Sequence, residues 1–180
     1  MAPLNPARYE ELQDAEDIIN YMFAEPSLLH EALQASGCES PDGNKRLALV
    51  GDAVLKLVLV AEGHDRDEPR GMYTILTDKI KKKNPADQTK QANPRHAWPP
   101  ARINHVLSTK ASNFYLAHRG FVLGLDRYID KCQSQNGAPV SPKIMATTME
   151  AIIGAVFLDS GNYVSALTNV LDALGLSWSG

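Results

Sequence analysis

The fold is decided by an apolar stretch with one embedded carboxylate, Leu47-Ala48-Leu49-Val50-Gly51-Asp52-Ala53-Val54-Leu55. Its apolar residues recur at helical spacing, and we therefore predict a helix capped by Asp42 or Asn44. On that helix Lys45, Ala48 and Asp52 share one face, because they are three and seven residues apart. A carboxylate among aliphatic side chains is costly to bury unless a cation or hydrogen-bond donors meet it. Asp52 therefore either pairs with Lys45 or forms half of a metal site.

A second stretch of the same design lies about a hundred residues further on, at 147–159. Met149, Ile152, Ile153, Val156 and Phe157 give it an apolar stripe. Thr147 and Glu150 share a face of the predicted helix. Two apolar helices, each with one inward-facing acid, are an unusual duplication for a purely structural core.

Both stretches resemble motifs of the ribonuclease III family. Residues 44–55 resemble the family's signature, N-E-R-L-E-F-L-G-D-A-V-L, and residues 143–161 resemble its second acidic motif, K-x-x-A-D-x-F-E-A-x-I-G-A-x-Y-L-D-x-G. Leu116-Ala117 and residues 123–129 match the helix between the motifs and its exit. The resemblance implies an all-α fold and a two-fold homodimer.

The resemblance also sets the domain organisation. We expect an N-terminal segment with the first helix at 1–23 and a ribonuclease III-like domain at 24–180, with an insertion at about 81–104. Further helices are predicted at 9–23, from Pro26, at 105–122 and at 164–174, the last ending at Gly175. We expect no separate double-stranded-RNA-binding domain after Gly180.

The acidic site implied by the resemblance is depleted in this sequence. The family places four acids around a catalytic metal, and only Asp52 and Glu150 stand at such positions. Ala48 and Thr147 occupy the other two, and Lys45 replaces the acid that opens the signature. Asp52 and Glu150 are thus the expected catalytic and metal-binding residues. The ion would be Mg²⁺ or Mn²⁺ if the protein is active, with no metal as the alternative.

Two surfaces beyond the acids are predicted to contact partners. The helix of the first motif has more apolar residues than one core face consumes, and we expect its dimer interface to contain Leu47, Leu49, Val50 and Val54. The insertion is rich in positive charge close to Trp98 and could bind an RNA backbone. Its expected RNA-binding residues are Lys81, Lys82, Lys83, Lys90, Arg95 and Arg102. The alternative is a solvated surface loop.

Composition sets outer bounds on function. With 180 residues, 44% hydrophobic content and a net charge of -3, the chain is long enough for one core and is not a strongly basic nucleic-acid binder. No apolar run reaches membrane-spanning length, and no secretory signal is recognisable, so no membrane partner is expected. Cytosol or nucleus is the default location, and mitochondria remain open.

Three functions stay in contention. The chain is a metal-dependent endonuclease on double-stranded RNA, an RNA-binding or ribosome-associated protein that has lost cleavage, or a dimeric scaffold for a protein partner. Charge counting favours impaired or absent cleavage, because two acids near Lys45 can be neutralised without a metal. Against this, Mg²⁺ is often held by only one or two carboxylates plus substrate oxygens.

Overall fold

The structure is a computed structural model that describes residues 5–36, 41–65, 100–131 and 138–178. The all-α prediction is confirmed: the described residues form helices and one isolated bridge between Gln34 and Asp130. No helix among these residues is long and apolar enough to cross a membrane. The helices are α1 (Pro6–Ile19), α2 (Pro26–Ala32), α3 (Lys45–Asp65), α4 (Pro100–Lys110), α5 (Asn113–Val122), a short 3-10 helix (Leu125–Tyr128), α6 (Pro142–Asp159) and α7 (Val164–Leu174).

Helix α6 lies at the centre of the fold. It packs against α2, α3, α5 and α7, and most of its length is apolar. Every residue from Met145 to Val156 is buried except Thr147 and Glu150. Thr147 and Glu150, the two positions of α6 expected to carry metal-binding acids, are therefore accessible from outside the core.

Helices α3 and α6 cross with their backbones in direct contact. A Cβ atom at Gly51 would overlap the carbonyl oxygen of Glu150, and one at Gly154 would overlap the carbonyl oxygen of Leu47. Glycine lowers helix propensity at both positions, but no larger residue fits between these two backbones. The crossing brings the acid of one helix to the acid of the other.

Asn44 stands at the predicted cap position directly before α3, and its carbonyl oxygen accepts the Ala48 N–H at 2.9 Å. Its side-chain amide nitrogen donates to the carbonyl oxygen of Ala32 at 2.7 Å and to the Thr148 hydroxyl at 3.2 Å. Asn44 and Thr148 are both buried, at 2% and 0% exposure. A buried amide must find such partners, and here they join the end of α2 and the middle of α6 to the first turn of α3.

Several predicted helix boundaries are wrong. Helix α1 runs over Pro6–Ile19 rather than 9–23, because Asn20 adopts a left-handed conformation with φ of 55° and ends it. The helix predicted at 105–122 is two helices, since α4 begins at Pro100 and α5 begins after Ser112, whose hydroxyl accepts the Tyr115 N–H. Helix α7 and its end at Gly175 are confirmed.

Candidate functional site

Helices α3 and α6, which carry Asp52 and Glu150, line a common cavity of about 450 Å³. Helix α3 lines it with Lys45, Ala48, Leu49 and Asp52, and α6 lines it with Thr147 and Glu150. The seventh lining residue is Asn113, the first residue of α5. Chain positions about a hundred residues apart in sequence thus meet where the resemblance implied, and we call this cavity the acidic cavity.

Asp52 is paired within its own helix. Its carboxylate accepts a hydrogen bond from the Lys56 ammonium at 2.7 Å. The expected pairing with Lys45 is therefore wrong, although Lys45 lines the same cavity. Lys56 lies one turn beyond Asp52, whereas Lys45 lies two turns before it, and only the shorter spacing allows direct contact. Both partners are partly exposed, at 37% for Asp52 and 52% for Lys56, so this is a surface pair worth at most about 1 kcal/mol.

Glu150 lies in a more enclosed place on the opposite wall. Burial, together with the negative charge of Asp52, raises the pKa of its carboxyl to about 7 against a lowering effect of Lys56. At neutral pH a substantial fraction of Glu150 is therefore protonated. Its protonated form can donate a hydrogen bond, which an ionised carboxylate cannot do.

The residues of the acidic cavity do not fit the four-carboxylate site that the resemblance implies. Among the described residues that line it, only Asp52 and Glu150 are acids, and Asp52 is already ion-paired with Lys56. Across the described ranges, no group of three or more His, Cys, Asp or Glu residues could hold a metal ion. The ammonium of Lys45 adds a positive charge where a divalent cation would have to enter.

The four residues expected at a dimer interface divide into two groups. Leu47 and Val54 are 4% and 7% exposed and belong to the chain's own core, so they offer little surface to a second copy. Val50 is half-buried, and Leu49 is 76% exposed at the rim of the acidic cavity. The helical spacing could not distinguish these cases, because it does not show which faces of α3 the other helices cover.

The predicted RNA-binding residues fall mostly outside the described ranges. Lys81, Lys82, Lys83, Lys90 and Arg95 are among them. Arg102 is exposed on α4. Its contact with RNA stays a prediction.

Two site residues escaped the sequence analysis. Lys56 had a readable signal, since an acid followed four residues later by a lysine on a helix is a common ion pair. Asn113 had none, because its place at the cavity depends on how α5 packs against α6.

Comparison with known proteins agrees with this geometry. Residues 45–161 match the family model described as "Ribonuclease III domain". A ribonuclease 3 from Sulfurovum sp. (strain NBC37-1) is 30% identical over 146 residues, which cover 81% of this chain and 54% of that protein. A ribonuclease 3 from Oleidesulfovibrio alaskensis is 29% identical over 177 residues, with coverage of 94% and 63%. The chain thus spans about half to two thirds of the length of these curated relatives.

The fold has solved counterparts. Two structures of the nuclease domain of ribonuclease III from Campylobacter jejuni superpose with TM-scores of 0.64 and 0.62, each at 22% identity and each covering 95% of this chain. One of them is described as showing structural flexibility in a region involved in dimer formation. The family match covers more than half of the sequence and contains both acidic helices. The chain belongs to the ribonuclease III family.

Proposed function

We propose that this protein is directed to double-stranded RNA and is impaired or inactive in metal-dependent cleavage. It would act by binding RNA within a processing or ribosomal assembly. The observation that supports this proposal is the acidic cavity, where Ala48 and Thr147 occupy the positions of two expected acids. One of its two carboxylates, Asp52, is ion-paired with Lys56. Family membership supports the substrate class, and the depleted cavity supports the loss of cutting.

The cavity retains groups that suit a phosphate backbone. Lys45 supplies an ammonium, Asn113 supplies an amide, and the protonated fraction of Glu150 supplies a donor to a phosphate oxygen. All three can contact a phosphodiester without a bridging cation. Binding of this kind is strongest at or below the pKa of Glu150, because ionised Glu150 repels phosphate.

We also propose that two copies pair through the outer face of α3. Leu49 is joined there by two further exposed apolar residues, Leu57 at 56% and Val60 at 40% exposure. Phe114, next to the cavity residue Asn113, is 84% exposed. Large apolar side chains at such exposure indicate an uncovered contact surface, and a second copy would bury α3 against its own symmetry mate.

The deciding experiment compares cleavage of a long RNA duplex by three proteins in Mg²⁺ and in Mn²⁺. The first is the parent, and the second is rebuilt with Lys45→Glu, Ala48→Glu and Thr147→Asp. The third is a matched neutral control with Lys45→Gln, Ala48→Gln and Thr147→Asn. We expect metal-dependent cutting by the rebuilt protein alone, because only it adds three acids to Asp52 and Glu150 and so fills all four metal-binding positions.

Duplex binding is measured on the same samples without metal. Binding by the parent without cutting supports the proposal. Efficient cutting by the parent that disappears in Glu150→Gln would establish an active endonuclease that uses Asp52 and Glu150. Neither binding nor cutting, together with a dimer in light scattering, would favour the protein scaffold.

A further inference from the structure

A second cavity lies directly beside the acidic cavity. It measures about 300 Å³ and is lined by Ala35, Ser36, Asn44, Lys45, Lys143, Ile144 and Thr147. Lys45 and Thr147 line both cavities, so the two are neighbours along the junction of α3 and α6. We call this second space the lysine cavity.

The charge in the lysine cavity has one sign. Among the residues that the structure describes, its charged lining residues are Lys45, the first residue of α3, and Lys143 near the start of α6, and no acid of these ranges lines it. Neither lysine forms an ion pair within the described residues. Two ammonium groups around one concave space repel each other, and a bound anion relieves that repulsion.

The remaining lining residues give the cavity a fixed wall. Asn44 cannot turn towards a ligand, because its amide is held by Ala32 and Thr148 in the core. Ala35 is buried at 2% exposure, and its backbone N–H donates to Asp130 at 3.0 Å. Recognition thus rests on two long, adaptable lysines above a rigid floor, which suits the tetrahedral oxygens of a phosphate.

We propose that the lysine cavity binds a backbone phosphate of the RNA strand whose neighbouring phosphate enters the acidic cavity. This inference rests on the proposed function for the identity of the ligand as RNA. Lys45 stands where the family resemblance places an acid, so the substitution both removes a metal-binding charge and creates the second half of a lysine pair. A lysine at position 45 thus weakens the binding of a cation and strengthens the binding of a phosphate.

The test is a salt titration of duplex RNA binding in the presence of EDTA. Each released counterion contributes to the slope of log K against log salt, so losing one phosphate contact lowers its magnitude by about 1. We expect that drop, with weaker binding, for Lys45→Gln and for Lys143→Gln. Lys143→Gln is the deciding variant, because Lys143 lines the lysine cavity alone, whereas Lys45 lines both cavities.

Arg46→Gln is the matched control. Arg46 follows Lys45 on α3, is exposed, carries the same charge and lines neither cavity. Salt slopes of both lysine variants equal to that of Arg46→Gln would overturn the proposal. A drop confined to the lysine variants supports it, because a general change in net charge would affect all three alike.

A second arm separates this proposal from the proposed function. If the parent binds no duplex RNA, the proposed function fails, and the cavity is then probed with inorganic phosphate by amide NMR. Saturable shifts at Lys45, Lys143 and Thr147 that disappear when both lysines are changed to glutamine would support a phosphate site filled by free phosphate rather than RNA. Absence of saturable shifts at these amides would overturn the site itself.

Discussion

The crossing of α3 and α6 and the acidic cavity beside it are built from the same two helices, yet they differ in what they tolerate. At the crossing, Gly51 and Gly154 match the family motifs, because added side-chain atoms would overlap opposing carbonyl groups. At the cavity, one turn away, Ala48 and Thr147 replace expected acids without disturbing the helices. Packing contacts are therefore far less exchangeable here than the residues they position, and the fold is kept although two of the expected acids are absent.

The largest expected effect tests the crossing. Gly51→Ala should destabilise the protein by about 3 kcal/mol, at the upper end for overpacking, because its Cβ overlaps the backbone of Glu150. Helix propensity alone predicts the opposite sign, a gain of about 1 kcal/mol. The measurement is the free energy of unfolding in urea.

Ala53→Gly is its control. Ala53 is exposed on the same helix, so this change should cost only about 1 kcal/mol through helix propensity. A Gly51→Ala protein as stable as the parent would show that the crossing is looser than described, and the contrast with the cavity would disappear.

An intermediate effect tests the electrostatics of the cavity. The pKa of Glu150 is raised from 4.5 to about 7 by burial and by Asp52, so the folded state holds this proton more tightly than the unfolded state. The free energy of unfolding should therefore fall as pH rises from about 4.5 to 7. Glu150→Gln should remove that fall and make the protein more stable than the parent above pH 7. The gain is roughly 1–2 kcal/mol once solvent screening of this half-buried group is discounted.

The pH profile of unfolding, measured by denaturant titration, provides the check. Glu10→Gln is the matched control, since Glu10 lies on the exposed side of α1. A difference between Glu150→Gln and the parent that does not grow between pH 4.5 and 7 would contradict the raised pKa.

The smallest expected effect separates two adjacent threonines. Thr148 is fully buried and accepts a hydrogen bond from Asn44, whereas Thr147 lines the cavity. Thr148→Val should cost about 1 kcal/mol, because it deprives a buried amide of one partner at nearly constant volume. Thr147→Val should change the thermal midpoint little. Equal effects would mean that core and cavity are not energetically distinct at this point of α6.

Helical periodicity and two motifs were sufficient to predict α3, α6 and the meeting of Asp52 with Glu150. They failed where a residue's partner is set by packing rather than by local spacing. Asn44 is a residue type that often caps helices, but the sequence did not show that its side-chain amide donates hydrogen bonds to Ala32 and Thr148 in the core. The break between α4 and α5 was readable, since Ser112 is a good N-cap, yet the continuous periodicity around it suggested one helix. The pairing of Asp52 with Lys56 rather than Lys45 required only the i, i+4 rule.

The long sequence separations inside the core have a consequence for synthesis on the ribosome. The hydrogen-bond partner of Asn44, Thr148, is synthesised 104 residues later. The carbonyl oxygen of Leu59 accepts the indole N–H of Trp178 at 2.8 Å, and Trp178 is synthesised 119 residues later. At about 5–20 residues per second, α3 emerges roughly 5–20 s before the helix that covers its apolar face. The nascent chain therefore carries an uncovered hydrophobic helix through most of its translation. Its final folding is expected after α6 leaves the exit tunnel, and chaperone contact with α3 is favoured until then.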